Sequence, residues 1–203
     1  MAELGGEPVG TVSAVAYGSS FGFGGLYLVR PELRSRGIGH RLWDAAIARL
    51  GTRTIGLDGV PAQEANYAQA GFRRAHANVR YRGEHLRTSN RPRNVDPISE
   101  ILFEAVAAYD HGVFGASRET FLREWIAQPG GVGLAKFEDR RVTGYGLLRP
   151  CRDGLKIAPC SPMRRGRRAT SSRPSSTTLR ETPSTLTYLR STGVGPRWSS
   201  GEV

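Results

Sequence analysis

At 203 residues and a formal net charge of +11, the chain can hold one large or two small domains. No apolar run reaches membrane-spanning length, and Met1-Ala-Glu-Leu-Gly-Gly-Glu-Pro8 has no signal-peptide core. Two cysteines, Cys151 and Cys160, are too few for a disulfide framework and have no metal-ligand company, which argues for a cytoplasmic, metal-free protein. The charge is uneven. Residues 161–203 hold eight Arg and two Glu, leaving +5 for residues 1–160, the mild basicity suited to a polyanionic ligand.

Gly5-Gly6-Glu7-Pro8 reads as a turn and Val9–Tyr17 as a strand. Gly18-Ser19-Ser20 leads tightly into a second strand, Phe21–Val29, so an antiparallel hairpin is expected. Pro31 cannot donate to a sheet ladder and should stop that strand. Arg34-Ser35-Arg36-Gly37-Ile38-Gly39 follows, then a helix to Leu50 with Ile38, Leu42, Ala45, Ala46 and Leu50 on one apolar face. A strand, a glycine-containing turn and a helix start aim several backbone N–H groups at one point, and the helix dipole adds positive partial charge. Gly37 and Gly39 let a ligand approach the backbone. Arg34, Arg36 and Arg41 add full charges, and His40 falls in the helix's first turn. The stretch reads as an anion site for a pyrophosphate. It is not the dinucleotide fingerprint, whose third glycine would fall at Leu42, nor a P-loop, because His40-Arg41 stands in place of Lys-Ser/Thr.

Downstream, Arg53–Asp58 reads as a short strand. Gly59-Val60-Pro61 opens a helix through Ala70 that Gly71 ends, and Phe72–Tyr81 is a further strand. Residues 83–97 are polar, contain two prolines and show no period, the mark of a linker. Pro97–Ala108 is amphipathic, with Ile98, Leu102, Ala105 and Val106 on one face. Ser117 is the expected N-cap of a helix over Arg118–Gln128, with Phe121, Leu122 and Trp125 toward a core and Pro129-Gly130-Gly131 after it. Strands Val132–Phe137 and Val142–Leu148 follow, joined through Glu138-Asp139-Arg140.

Arg34-x-x-Gly37-x-Gly39 resembles the acetyl-CoA signature of the GNAT superfamily of N-acetyltransferases, Arg/Gln-x-x-Gly-x-Gly/Ala. In that family it follows a strand ending in Val-x-Pro, here Val29-Arg30-Pro31, and has a Leu three residues later, here Leu42. The family's closing motif, Tyr-x-x-x-Gly-Phe, stands here as Tyr67-Ala-Gln-Ala-Gly71-Phe72. The resemblance covers residues 5–82 and implies an α/β (α+β) fold. Its sheet is mixed and mostly antiparallel, flanked by helices, with a central strand that splays from the next to admit a pantetheine arm. It implies acetyl-CoA as co-substrate, held by Leu28, Val29, Arg34, Arg36, Gly37, Ile38, Gly39, His40 and Arg41, and transfer of its acetyl group to a small-molecule or peptide amine. Tyr67 matches the family's general acid; a phenol, with a pKa near 10, stays protonated at neutral pH. Asp58, ending a strand beside the splay, is the candidate base for an acceptor ammonium. The plainer alternatives are a packing tyrosine and an aspartate that caps the next turn.

The family fold begins with a strand and two helices ahead of the hairpin. Met1 falls almost at the hairpin, so the sequence reads as truncated at its N-terminus, with the acceptor side incomplete. After the linker, the order helix, helix, strand, strand is what the opening half of another such domain would give. That resembles bacterial two-domain acetyltransferases, with Tyr109-Asp110 and Phe121-Leu122-x-x-Trp125 as local signature. The expected organisation is therefore a first domain at 1–82, a linker at 83–97, a partial second domain at 98–160 and a tail at 161–203. No Gly-x-Gly phosphate loop, a glycine turn leading from a strand into a helix, is seen in the second unit, which assigns catalysis to the first.

The tail is rich in Ser, Thr, Arg, Pro and Gly without a sustained period, a composition that fits disorder. A second reading comes from the genetic code. With 27 Arg and 2 Lys the gene is GC-rich, and shifting the frame back one base lets Cys160–Arg164 read Leu-Leu-Ala-Asp-Ala, as a GNAT-like unit would need. A frameshift near residue 160 is thus the expectation set against native disorder. Two rival functions accompany the transferase: a catalytically inactive CoA-binding module, and nucleic-acid binding through the arginine-rich tail. Only Tyr188 and Trp198 offer stacking there, which argues against nucleic acid. The oligomeric state stays open.

Overall fold

The computed structural model describes residues 1–83, 94–160 and 179–190. The elements run in chain order as β1 (Ala2–Leu4), β2 (Glu7–Tyr17), β3 (Phe21–Val29), α1 (Ile38–Leu50), β4 (Thr54–Gly59), α2 (Glu64–Gln69) and β5 (Arg73–Gly83). Then come β6 (Val95–Pro97), α3 (Phe103–Phe114), α4 (Glu119–Ile126), β7 (Val132–Glu138), β8 (Arg141–Pro150), β9 (Leu155–Cys160) and β10 (Leu179–Arg190). They divide into two units, one built on β1–β5 with β10 and the other on β6–β9 with α3 and α4. Among the described residues no helix is long and apolar enough to cross a membrane.

The first unit holds a six-stranded sheet in the order β1-β2-β3-β4-β10-β5. Every neighbouring pair is antiparallel except β3 with β4. This is the mixed, mostly antiparallel sheet with flanking helices that the motifs imply. The turn at Gly5-Gly6 has φ of 60° and 83°, a hairpin geometry that glycine adopts freely. It joins β2 to β1, a short strand not singled out from the sequence. Helix α1 lies on the sheet where two strands lack side chains. A Cβ at Gly10 would sit 2.8 Å from Leu42 Cδ1, and one at Gly22 2.6 Å from Leu50 Cδ2. The buried face of α1 is Gly39, Leu42, Trp43, Ala46 and Leu50. Ala45, expected on that face, is exposed, and the indole of Trp43 takes its share of the core. Leu42 and Trp43 are adjacent, so the stripe is wider on that side than a strict i, i+3, i+4 count suggests. Arg53 ties the helix end to the hairpin, its Nε donating to Gly18 O and its Nη1 to Leu50 O, each at 2.9 Å.

The expectation of an unpacked tail fails for Leu179–Arg190. This segment forms β10, pairing with Ile55–Gly59 of β4 on one side and with β5 from Arg73 to Gly83 on the other. Both partner strands would otherwise leave an edge of unpaired N–H and C=O groups, and that demand arises far from the segment in sequence. The frameshift reading and Trp198 fall mostly on residues 161–178 and 191–203, outside the described residues, as does most of the expected linker.

In the second unit four antiparallel strands run in the order β6-β7-β8-β9 over a core of Ile98, Val106, Leu122, Ala135 and Tyr145. Three expectations are corrected here. Val95–Pro97, placed in the linker, is a strand paired with Leu134–Lys136. The helix expected from Pro97 begins only at Phe103. Ile98 is drawn onto β7 at Gly133, where a Cβ would lie 2.3 Å from Ile98 Cγ2, and Leu102 is left extended and 77% exposed. Ser117 does not cap the next helix; Arg118 holds the N-cap position. Its guanidinium donates two 2.7 Å hydrogen bonds to the buried Asp110 carboxylate, which also accepts from Tyr145 Oη. β9 adds a strand beyond those expected.

Candidate functional site

β3 and β4 pair in parallel from Phe21 opposite Thr54 to Gly24 opposite Leu57. Beyond that point β3 continues to Val29 and β4 to Gly59 without pairing to each other. The two strands open into a cavity of about 710 Å³.

A bulge shapes the β3 wall. Thr11 pairs with Leu28 and Ser13 with Gly25, so two steps on β2 oppose three on β3, and Leu26 takes a φ of 49°. The extra residue reverses the in–out alternation. Before it Gly22 faces α1; after it Tyr27 and Val29 do, while Leu26 and Leu28 stand exposed. Arg30 N–H donates to Val9 O at 3.0 Å, so the alternation turns the Val29 carbonyl toward the opposite, open edge, where it accepts from Arg34 Nε at 3.3 Å.

The turn into α1 follows. Ser35 has φ 59° and Gly37 φ 75°, with nothing within 4 Å of a Cβ at Gly37. Conformation, not crowding, requires glycine there. No side chain caps the first turn of α1 and no acidic residue stands in it, so its leading N–H groups keep their full partial charge. Gly39 is buried beneath Tyr27, whose Oη lies 2.7 Å from the position of a Cβ.

Of the residues expected to hold acetyl-CoA, Leu28, Val29 and Arg34 line the cavity. Arg36, Gly37, His40 and Arg41 are exposed on the loop and first helical turn, and Ile38 is half-buried. His40 Nε2 lies 3.4 Å from Asp44 Oδ2, which turns it along the helix. Both expected catalytic side chains line the cavity. Tyr67 is 9% exposed and packs on Trp43 and Phe72, with ring centroids 6.1 and 6.3 Å away. Burial pushes its phenol above the usual tyrosine range. Asp58 is exposed on β4 and accepts a hydrogen bond from Asn78 Nδ2 at 3.3 Å.

Two aromatic residues of this site carry no motif in the sequence. Tyr27 reads there as one member of an apolar strand run, and Trp43 as one of several helix positions. In the fold their rings meet at a tilt, centroids 5.8 Å apart, and both line the cavity, Tyr27 from β3 and Trp43 from α1. The Tyr27 phenol is pushed up to about 12, first by burial, then by the neighbouring Tyr67 and Asp44.

A family profile described as "Acetyltransferase (GNAT) family" matches residues 1–72, and another described as "Acetyltransferase (GNAT) domain" matches residues 106–164. Holothin acyltransferase of Pseudoalteromonas sp. (strain SANK 73390) is 33% identical over 153 residues, which are 75% of this chain and 52% of that protein. An uncharacterised Caenorhabditis elegans protein is 26% identical over 126 residues, 57% of this chain and 40% of its own. The chain thus spans about half the length of the curated relatives it matches. Among solved structures, a candidate acetyltransferase from Pyrococcus horikoshii superposes with a TM-score of 0.69 at 20% identity, over 94% of this chain and 72% of that one. A tandem GNAT protein from the clavulanic acid biosynthesis pathway gives 0.50 at 20% identity, over 81% and 63%. At those identities the structures speak for the fold. Each of the two units carries one of the family profiles, and the strands, motifs and solved folds agree with them: the chain belongs to the GNAT superfamily of acetyltransferases.

Proposed function

We propose that this chain is an acetyl-CoA-dependent N-acyltransferase acting in the cytosol on an amine of a small molecule or peptide. The observation that carries the reading is the splay of β3 from β4 over a cavity with Arg34 at one end and the uncapped start of α1 beside it. Such a channel fits a long apolar–amide arm with a polyanion at its mouth. The exposed Arg36, His40 and Arg41, with the N–H groups after Gly37, would hold the pyrophosphate. The edge of β3 left unpaired past Gly24 offers backbone hydrogen bonds to the arm.

When bound, acetyl-CoA supplies a thioester whose carbonyl carbon a neutral amine attacks, forming the C–N bond as the C–S bond breaks. Asp58, exposed at the cavity, takes a proton from the incoming ammonium, directly or through water. Tyr67 donates its hydroxyl proton to the departing thiolate, and the second proton that the amine nitrogen sheds as the amide forms returns through solvent to the phenolate. Burial keeps Tyr67 protonated until it donates, which suits an acid and not a base.

Tyr67→Phe tests the reading. It preserves the ring packing on Trp43 and Phe72, so acetyl-CoA affinity by calorimetry should hardly change. Turnover should fall by about 10²–10⁴-fold, as for loss of a positioned proton donor. Undiminished turnover would return Tyr67 to a packing role.

A further inference from the structure

Strand alternation sorts the lining of the cavity between the two faces of the sheet. Ile55 and Leu57 of β4 pack with Trp43 and Tyr67 on the α1 side. Asp58, the next residue, therefore projects from the opposite face. On β3, Tyr27 and Val29 reach Gly39 of α1, which puts Leu28 between them on the face that Asp58 shares. Leu26 in the bulge and Val60, the first residue after β4, also line the opening.

These three aliphatic side chains are open to solvent: Leu26 is 71% exposed, Leu28 61% and Val60 51%. A single exposed leucine carries no message, but three around one opening form a patch that water covers at a cost. Among the described lining residues Asp58 is the one carboxylate, and it too is exposed. Arg34 is the one full cation there, and its Nε is engaged with Val29 O at 3.3 Å. The accessible surface at this mouth thus offers one negative charge in an aliphatic surround. An ammonium on a hydrocarbon body matches both parts. A second charge on the same body would lose water against leucine and valine and find no partner.

Resting on the acyltransferase reading, we infer that the acceptor is a hydrophobic monoamine, its ammonium at Asp58 and its apolar body against Leu26, Leu28 and Val60. Amines that carry a carboxylate or a second ammonium are the compounds this surface selects against.

The test is nuclear magnetic resonance titration of the full chain at neutral pH with propylamine, pentylamine and heptylamine, and with 6-aminohexanoate and 1,5-diaminopentane. CoA binding is measured separately by calorimetry. Affinity should rise about two- to fourfold per methylene along the monoamines, fourfold being the limit for full burial. The two doubly charged compounds should bind roughly tenfold more weakly than pentylamine. Asp58→Asn should weaken all three monoamines alike and leave the step per methylene unchanged, because it removes the charge and not the apolar surface. Leu26→Asn should flatten the step and leave CoA affinity as it was; asparagine accepts the φ of 49° at that position, so the bulge is kept. Val60→Thr, of nearly the same shape, should flatten it as well. Equal affinity across the series, or doubly charged compounds binding as well as pentylamine, in a chain that binds CoA would overturn the hydrophobic acceptor and leave the transferase reading standing. An unchanged step in both folded variants would also overturn it. A chain that binds no CoA would lose the transferase reading and this acceptor with it, whatever the amines do.

Discussion

Replacing Gly39 by Ala should destabilise the first unit, and the same replacement should stabilise it once Tyr27 is Phe. Gly39 is the second residue of α1, where Ala outperforms Gly by up to about 1 kcal/mol on helix propensity. Against that stands the Tyr27 hydroxyl, 2.7 Å from the new Cβ. Its ring is wedged against Trp43 at a centroid distance of 5.8 Å and has little room to retreat. Overpacking of this kind costs about 1–3 kcal/mol, so the clash outweighs the propensity gain and the net loss is about 1 kcal/mol. Removing the oxygen leaves Val29 Cγ2 at 3.5 Å and the Tyr27 Cζ position at 3.6 Å, ordinary contacts. In the Tyr27→Phe background the propensity term then acts alone, and Ala should gain up to about 1 kcal/mol. The coupling between the two sites is therefore about 2 kcal/mol, well above the scatter of independent sites. Native-state hydrogen exchange of the α1 amides in the four proteins measures it. The same sign for Gly39→Ala in both backgrounds would refute the argument.

Asp110→Ala leaves the nearly buried Arg118 guanidinium and the Tyr145 hydroxyl without their acceptor, and should cost about 3–5 kcal/mol. Exchange protection should fall in α3, α4 and β8; a loss under about 1 kcal/mol would contradict this. Ending the chain after Cys160 removes β10 and should unprotect the amides of Ile55–Gly59 and the facing residues of β5, while the β2–β3 pairs persist. Equal protection in the shortened chain would mean that β10 is dispensable. Tyr27, with a folded pKa raised to about 12 above an unfolded value near 10, contributes stability that is complete below pH 10. That contribution is lost as pH climbs from about 10 toward 12, and Tyr27→Phe should flatten the decline. Ultraviolet titration showing Tyr27 ionising near pH 10 would rule this out.

The loop and helix from Arg34 to Leu50 were legible because their signals are local: a proline that stops a strand, glycines in the turn that follows, and apolar residues at helical spacing. Val29, Arg34 and Tyr67 were named from two short motifs and Asp58 from its place at a strand end, and the fold gathers all four around one cavity. The contact of Tyr27 with Trp43 was not legible, because it exists only once α1 lies across β3.

By itself the sequence determined the family resemblance, the β2–β3 hairpin, the glycine-containing turn into α1 and most of the larger elements, all of which follow from neighbours within a few residues. Tertiary structure alone decided three things. The bulge at Leu26 turns Tyr27 inward, because a one-residue offset depends on how β2 and β3 pair and reverses every later side chain. The start of α3 moved from Pro97 to Phe103 because Ile98 found space over Gly133, in a strand far along the chain. β10 formed within a stretch whose composition suggests no structure, because β4 and β5 present unpaired backbone on facing edges. Hydrogen-bond demand of that kind belongs to the assembled sheet, and no local window of residues contains it.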